Sequence, residues 1–284
     1  LDVLPCGPAE VRIPSLDNAP GGSWSTVEHM PLLGMRRVGN TCYVLSVSQV
    51  LLRVPAVVEW ARQHHSQGCA SQRTSCVICC LCGTYQELLK WAETRRVDEP
   101  SLAQERARVG RQFLGNRQHD VFEFFDEFLA CARRAEIAAG RSTVWPGVQV
   151  DMPVATHVDR LFGFVEEVRR RCTRCQRQVR AWFESARVLH LSPLALPGGP
   201  ATVSEMYLAA CGPGAADAPR DEEVVCESPE CRCTTWHTTQ RRIVAAPNIL
   251  VIRVRRDVGP RLRVAVEEEL DLPGLPGMEL VGVV

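Results

Sequence analysis

The chain has 284 residues, 45% of them hydrophobic and 23% charged, a profile that fits a globular protein with one large core or two small ones. Its 33 basic and 33 acidic residues cancel, so it carries no global field for nucleic acid or an anionic membrane, and no apolar run reaches membrane-spanning length. Its 14 cysteines fall in local pairs and triples, which points to metal binding and reactive thiols in a reducing compartment, cytoplasmic or nuclear, rather than to a disulfide framework.

Residues 1–31 are rich in Pro, Gly, Ser and Asn and read as an extension or linker. The stretch Gly34 to Gln49, GMRRVGNTCYVLSVSQ, then brings Cys42 to the start of an apolar segment. Val44, Val47, Val50, Leu51 and Val54 recur at helical spacing, which predicts a helix over Thr41 to Arg53 capped by Thr41 or Asn40. A thiol at a helix N-terminus sits near the positive end of the peptide dipoles and near unpaired backbone N–H groups, a setting that favours thiolate. Spacing alone leaves a second reading open, in which Cys42 is a small packed residue of a buried helix.

Further helices are expected over Pro55 to His65 and Thr84 to Arg96. Between them lie Cys69, Cys76, Cys79, Cys80 and Cys82, just after His64 and His65; packed thiols are the preferred reading and a metal site the other. Another helix, Asp120 to Ala139, gathers Val121, Phe124, Phe125, Phe128, Leu129 and Ala132 on one face.

After about residue 150 the periodicity changes. FGFVEEVRR, VRAWFESARVLHLS, TTQRRIVAA and NILVIRVRR read as strands, with PLALPGGPA and CGPGAADAP as loops. Helices followed by strands argue for an α+β fold. The arginines 169, 170, 171 and 174 read as a solvated strand face. Cys172 and Cys175 form a CxxC knuckle, and Cys226, Cys231 and Cys233 follow some fifty residues later. Two knuckles around a β-rich insertion suit a structural zinc site made by Cys172, Cys175, Cys226 and Cys231, with Cys233 as the alternative fourth ligand.

GNTCYVLSVSQ resembles the cysteine box of the ubiquitin-specific proteases, G-L-x-N-x-G-N-T-C-Y-x-N-S-x-L-Q. Gly34, Gly39, Asn40, Thr41, Cys42, Tyr43, Ser46 and Gln49 match it. Gln118-His119-Asp120 with Glu123-Phe124 resembles that family's Q-Q-D-A-x-E-F-L segment, RRIVAAPNILVIRVRR its later strand pair, and Met278 to Val284 the strand before its catalytic histidine. The resemblance implies a papain-like cysteine protease fold over residues 32–284. The thumb would span about 32–150, and the zinc-ribbon fingers and the palm about 151–284. It implies a deubiquitinase with Cys42 as nucleophile, and ubiquitin and ubiquitinated proteins, not nucleic acid or membrane, as partners. Gln118, Asp120 and Glu123 would hold ubiquitin's arginine-bearing tail.

Three departures accompany the match. Arg37 stands where the family has an oxyanion-donating Asn, so that Asn40 and Arg37 are the candidates for that region; losing one such donor can cost on the order of 10²–10³ in turnover. Leu45 replaces a usual Asn, and Met278 a usual Tyr. None of the 7 histidines has the context of the family's base, which is therefore expected beyond Val284, with the chain a C-terminally truncated view of the domain. A ubiquitin-binding scaffold without turnover is the alternative on the same fold, and a zinc-ribbon nucleic-acid module a more distant one.

Overall fold

A computed structural model describes residues 34–69, 76–144, 154–192, 201–211, 223–255, 263–272, 275–280 and 282. The extension read at 1–31 and most of the two long loops lie outside the described residues. The chain divides into two compact units, one holding the helices up to Thr143 with Ala155–Leu161, the other holding Phe162–Leu280. Most of the helices precede most of the strands, an α+β arrangement.

The helical unit carries α1 (Cys42–Leu51), α2 (Pro55–Ser66), α3 (Val77–Thr94), α4 (Ser101–Gln104) and α5 (Val121–Ala138). Helix α1 buries Val44, Val47 and Leu51, three of the residues that predicted it. It cannot run into α2, because Pro55 lacks an N–H and pushes Val54 into extended backbone (φ −95°, ψ 108°). The chain bends by 98° there and restarts with Pro55 in the first helical turn.

Helix α3 begins seven residues earlier than Thr84, at Val77. Val77, Ile78, Leu81, Tyr85 and Leu88 make one buried face, and the cysteines among them fill the first turns. The left-handed Arg95 (φ 55°) ends it. The start of α4 is held by α3, since the Glu87 carboxylate accepts from Ser101 N–H (2.9 Å) and from the Ser101 hydroxyl, and Leu102 N–H donates to Thr84 Oγ1 (3.0 Å). In α5 the buried face is Phe124, Phe125, Phe128, Leu129 and Ala132, as its spacing predicted, while Val121 of the same predicted face is only half-buried.

Two-residue strands β1 (Thr143–Val144) and β2 (Val154–Ala155) pair, and α6 (His157–Phe162) follows. The largest sheet has β3 (Phe164–Cys172) between β4 (Gln178–Ala186) and β9 (His237–Ala245), all antiparallel. The segment VRAWFESARVLHLS is two strands, β4 and β5 (Leu189–Leu191); β5 leaves β4's sheet to pair in parallel with β10 (Ile252–Val254). NILVIRVRR contributes only those three residues to a strand. Short strands β6 (Ala201–Thr202) and β11 (Val264–Ala265) also pair in parallel, β7 (Val224–Val225) pairs with β8 (Thr234–Thr235), and β12 (Glu269–Leu272) pairs with β13 (Leu275–Glu279).

Helix α6 was not foreseen in this half, and neither was α7 (Val203–Cys211). Its Val203, Met206 and Tyr207 join Phe164, Leu189, Leu191, Ile243, Leu272 and Leu275 in a single buried cluster. The tertiary demand to cover these strands sets its conformation more than its short sequence does.

Candidate active site and cysteine knuckle

Cys42 is the first residue of α1 and is partly exposed, while its neighbours Thr41 and Tyr43 are 1% and 2% exposed. The thiol thus stands at the mouth of a packed helix end, beside N–H groups that have no intrahelical acceptor. Thr41 occupies the cap position but does not cap: its hydroxyl donates to Val38 O (3.0 Å). Asn40 does not cap either. Its Nδ2 donates to Asn116 O (2.7 Å), and its N–H donates to Asn116 Oδ1 (3.1 Å).

Asn116 is the residue that sequence reasoning missed, for it lies 76 positions away in a stretch that reads as plain loop. It also explains the glycine before it in the box. Gly39 has φ +61°, and a Cβ there would lie 2.4 Å from Asn116 Oδ1. The preceding segment is anchored too, by Arg36 N–H on Asp98 O (3.2 Å). Arg37 is exposed, and its Nε donates to Gly39 O (2.9 Å). Its guanidinium is therefore fastened to the loop that delivers Cys42.

The Q-x-D segment lies against the same helix end. His119 packs edge-on to Tyr43 (5.4 Å between ring centres) and to Phe113 (4.9 Å), and Phe124 packs on both of those rings. His119 is thus part of an aromatic cluster behind the thiol, and its Nδ1 lies 3.8 Å from Glu123. Burial raises the Tyr43 hydroxyl's pKa, partly offset by Arg106. Asp120 is the N-cap of α5, with Oδ1 accepting from Phe122 N–H (2.8 Å) and Glu123 N–H (3.1 Å). Gln118 and Glu123 are exposed beside it. Among the described residues no histidine hydrogen-bonds Cys42.

In the strand unit, the Sγ atoms of Cys172, Cys175, Cys226 and Cys231 lie within 4.8 Å of one another. Cys175 and Cys226 are 3.9 Å apart across 51 positions. Tetrahedral zinc with Zn–S of about 2.3 Å would set sulfurs about 3.8 Å apart, so the four thiols fit that ion closely. The knuckle is shaped for sulfur. Gln176, left-handed at φ 58°, donates its N–H to Cys172 O (2.9 Å), which turns the chain between β3 and β4. Burial works to raise the Cys172 thiol, but the N–H groups of Cys175 and Arg174 and the neighbouring thiols bring it down to about 6. Cys233 stands 3.0 Å from Cys231, and its carbonyl accepts from Cys226 N–H (2.8 Å). Cys231 belongs to the group of four within 4.8 Å, and Cys233, the alternative ligand, stands beside it.

The sequence profile of the family described as ubiquitin carboxyl-terminal hydrolase matches residues 33–264. Ubiquitin carboxyl-terminal hydrolase 36 of Drosophila erecta is 27% identical over 147 residues, 50% of this chain and 13% of that protein. Its Drosophila melanogaster counterpart is 28% identical over 147 residues, 50% of this chain and 14% of that protein. The chain therefore spans a small fraction of the length of the curated relatives it matches. The SAGA Ubp8/Sgf11/Sus1/Sgf73 DUB module bound to ubiquitin aldehyde shares the fold with a TM-score of 0.61, over 87% of this chain and 53% of that chain at 18% identity. With the cysteine box, the Q-x-D segment and the knuckle in place, and the profile running through all three, the chain belongs to the ubiquitin carboxyl-terminal hydrolase family.

Proposed function

We propose that this domain is a thiol-dependent deubiquitinase. The observation that carries the reading is the clamped loop that sets Cys42 at the open N-terminus of α1 in a chain of this family. A histidine base takes the thiol proton, and the thiolate adds to the carbonyl carbon of ubiquitin's terminal glycine. Backbone N–H groups at the start of α1 stabilise the oxyanion. Collapse of the adduct breaks the C–N bond, and the imidazolium gives its proton to the leaving amine. Water then attacks the thioester, releasing ubiquitin's carboxylate and returning the thiol. His119 serves in packing, not as the base.

Glu123, exposed on the first turn of α5, is the better acceptor for a tail arginine, because one oxygen of Asp120 is already used in capping. Cys172, Cys175, Cys226 and Cys231 would hold a zinc ion with no open position, a structural site that fixes the strand tips and takes no part in hydrolysis.

The test uses the full-length protein and a ubiquitin C-terminal amide. Cys42→Ala is expected to abolish hydrolysis and labelling by an electrophilic ubiquitin, while leaving folding unchanged. Hydrolysis that survives the substitution overturns the assignment of Cys42.

A further inference from the structure

The cysteines between α2 and α3 are absorbed by nothing above. His64 lies in the last turn of α2 and is 2% exposed. Its Nε2 is 3.3 Å from the Sγ of Cys76, which occupies the cap position of α3. Cys79 is one turn into α3, and Cys69 follows the end of α2. One donor atom from each of these four residues lies within 4.8 Å of all the others.

Simple packing of small apolar residues does not account for this. Cys80 and Cys82 belong to the same helix turns and are equally buried, at 5% and 1% exposed, yet neither joins the four-donor group. Three sulfurs gathered around an imidazole nitrogen, with His64, Cys76 and Cys79 buried and Cys69 half-buried, are instead the donor set of a closed tetrahedral site. Zinc with Zn–S of about 2.3 Å and Zn–N of about 2.0–2.1 Å would place its donors about 3.5–3.8 Å apart. Thiolates and imidazole select zinc over magnesium or calcium, which take oxygen ligands.

The surrounding backbone is fixed independently of any ion. Arg141 Nη2 donates to Gly68 O (2.8 Å) and Nη1 to His64 O (3.4 Å), while Gly68 turns the chain at φ +82° to present Cys69. Cys80 N–H donates to Cys76 O (2.9 Å), which fixes Cys76 at the head of α3. Three thiolates and one zinc leave a net negative charge, and the Arg141 guanidinium is held on the backbone of the same corner.

We infer that His64, Cys69, Cys76 and Cys79 hold a structural zinc ion that pins the end of α2 to the start of α3. The site is separate from the strand-unit knuckle and independent of the deubiquitinase reading. With four protein ligands it has no place for a substrate or a reactive water.

The test begins with the wild-type chain purified under reducing conditions. Native mass spectrometry is expected to show about two zinc ions per folded chain, and X-ray absorption an average near 3.5 sulfur and 0.5 nitrogen ligands per zinc. A folded chain with about one zinc ion and all-sulfur coordination overturns the inference. His64→Cys should keep the ion, remove the nitrogen signal and move the cobalt-substituted spectrum to the all-thiolate type. A second ion that persists, with its nitrogen ligand, in Cys76→Ser/Cys79→Ser also overturns it.

Discussion

Each unit buries a glutamate, and the two are handled in opposite ways. Glu136 in α5 is 1% exposed and collects two donors, Trp60 Nε1–H (2.7 Å) and Val158 N–H (3.3 Å), with the His157 imidazole beside it (Nδ1 at 3.1 Å). Burial works to raise its pKa, but these neighbours outweigh it and hold the carboxyl below its ordinary 4.5. Glu166 in β3 is 6% exposed and directly faces Glu184 in the sheet register. Both carboxylates share the single Nη1 of Arg241, at 2.9 and 2.8 Å. Burial raises Glu166 above 4.5, Arg241 offsets this only in part, and Glu184 adds to it. Burial alone therefore does not set the charge state of a carboxylate; the number of donors aimed at it does.

Removal of the better-supplied group should cost most. Glu136→Ala leaves the Trp60 and Val158 donors without an acceptor, and urea unfolding should show a loss on the order of 2–5 kcal/mol. A loss within about 1 kcal/mol would erase the contrast. The pH dependence comes next, and its sign differs between the two groups. Glu136 is depressed, so its stabilisation is present above 4.5 and is lost as pH falls through its lower folded value. Melting temperature should drop on that acid limb, and Glu136→Gln should flatten it. Glu166 is raised, so its contribution is complete below 4.5 and is lost as pH rises through its higher folded value. Glu166→Gln should flatten that limb instead; an unchanged profile in both variants would show that neither group governs it. The smallest effect is the stability of Glu166→Gln at neutral pH, expected within about 1 kcal/mol of wild type, because it removes a like-charge clash along with an ion pair.

The sequence carried the helices where apolar spacing was regular, in α1 and in the phenylalanine face of α5. It misplaced the start of α3, because Val77, Ile78 and four cysteines give a weak helical preference that only burial overrides. It read VRAWFESARVLHLS as one strand, since nothing in Arg187-Val188 announces that the chain changes sheets. At the site, Cys42, the Q-x-D segment and the Cys172 knuckle were legible as local patterns. The contact of Asn40 with Asn116 was not, because a hydrogen bond between distant loops leaves no local period. Thr41 looked like a cap by residue type alone, and its hydroxyl turned back to Val38 instead.

That contact also bears on the order in which the molecule is made. Asn40 and Asn116 are 76 positions apart, and closing such a loop costs on the order of 4 kcal/mol, so helical packing must form first to offset it. A nascent chain that has emerged only through α3 already displays Cys42 but has no residue to clamp the turn before it. Its thiol is then one of seven cysteines made, on a turn not yet held in place. The turn that presents Cys42 is thus set only once residue 116 has emerged and docked, so the shape of this helix end is a late product of folding.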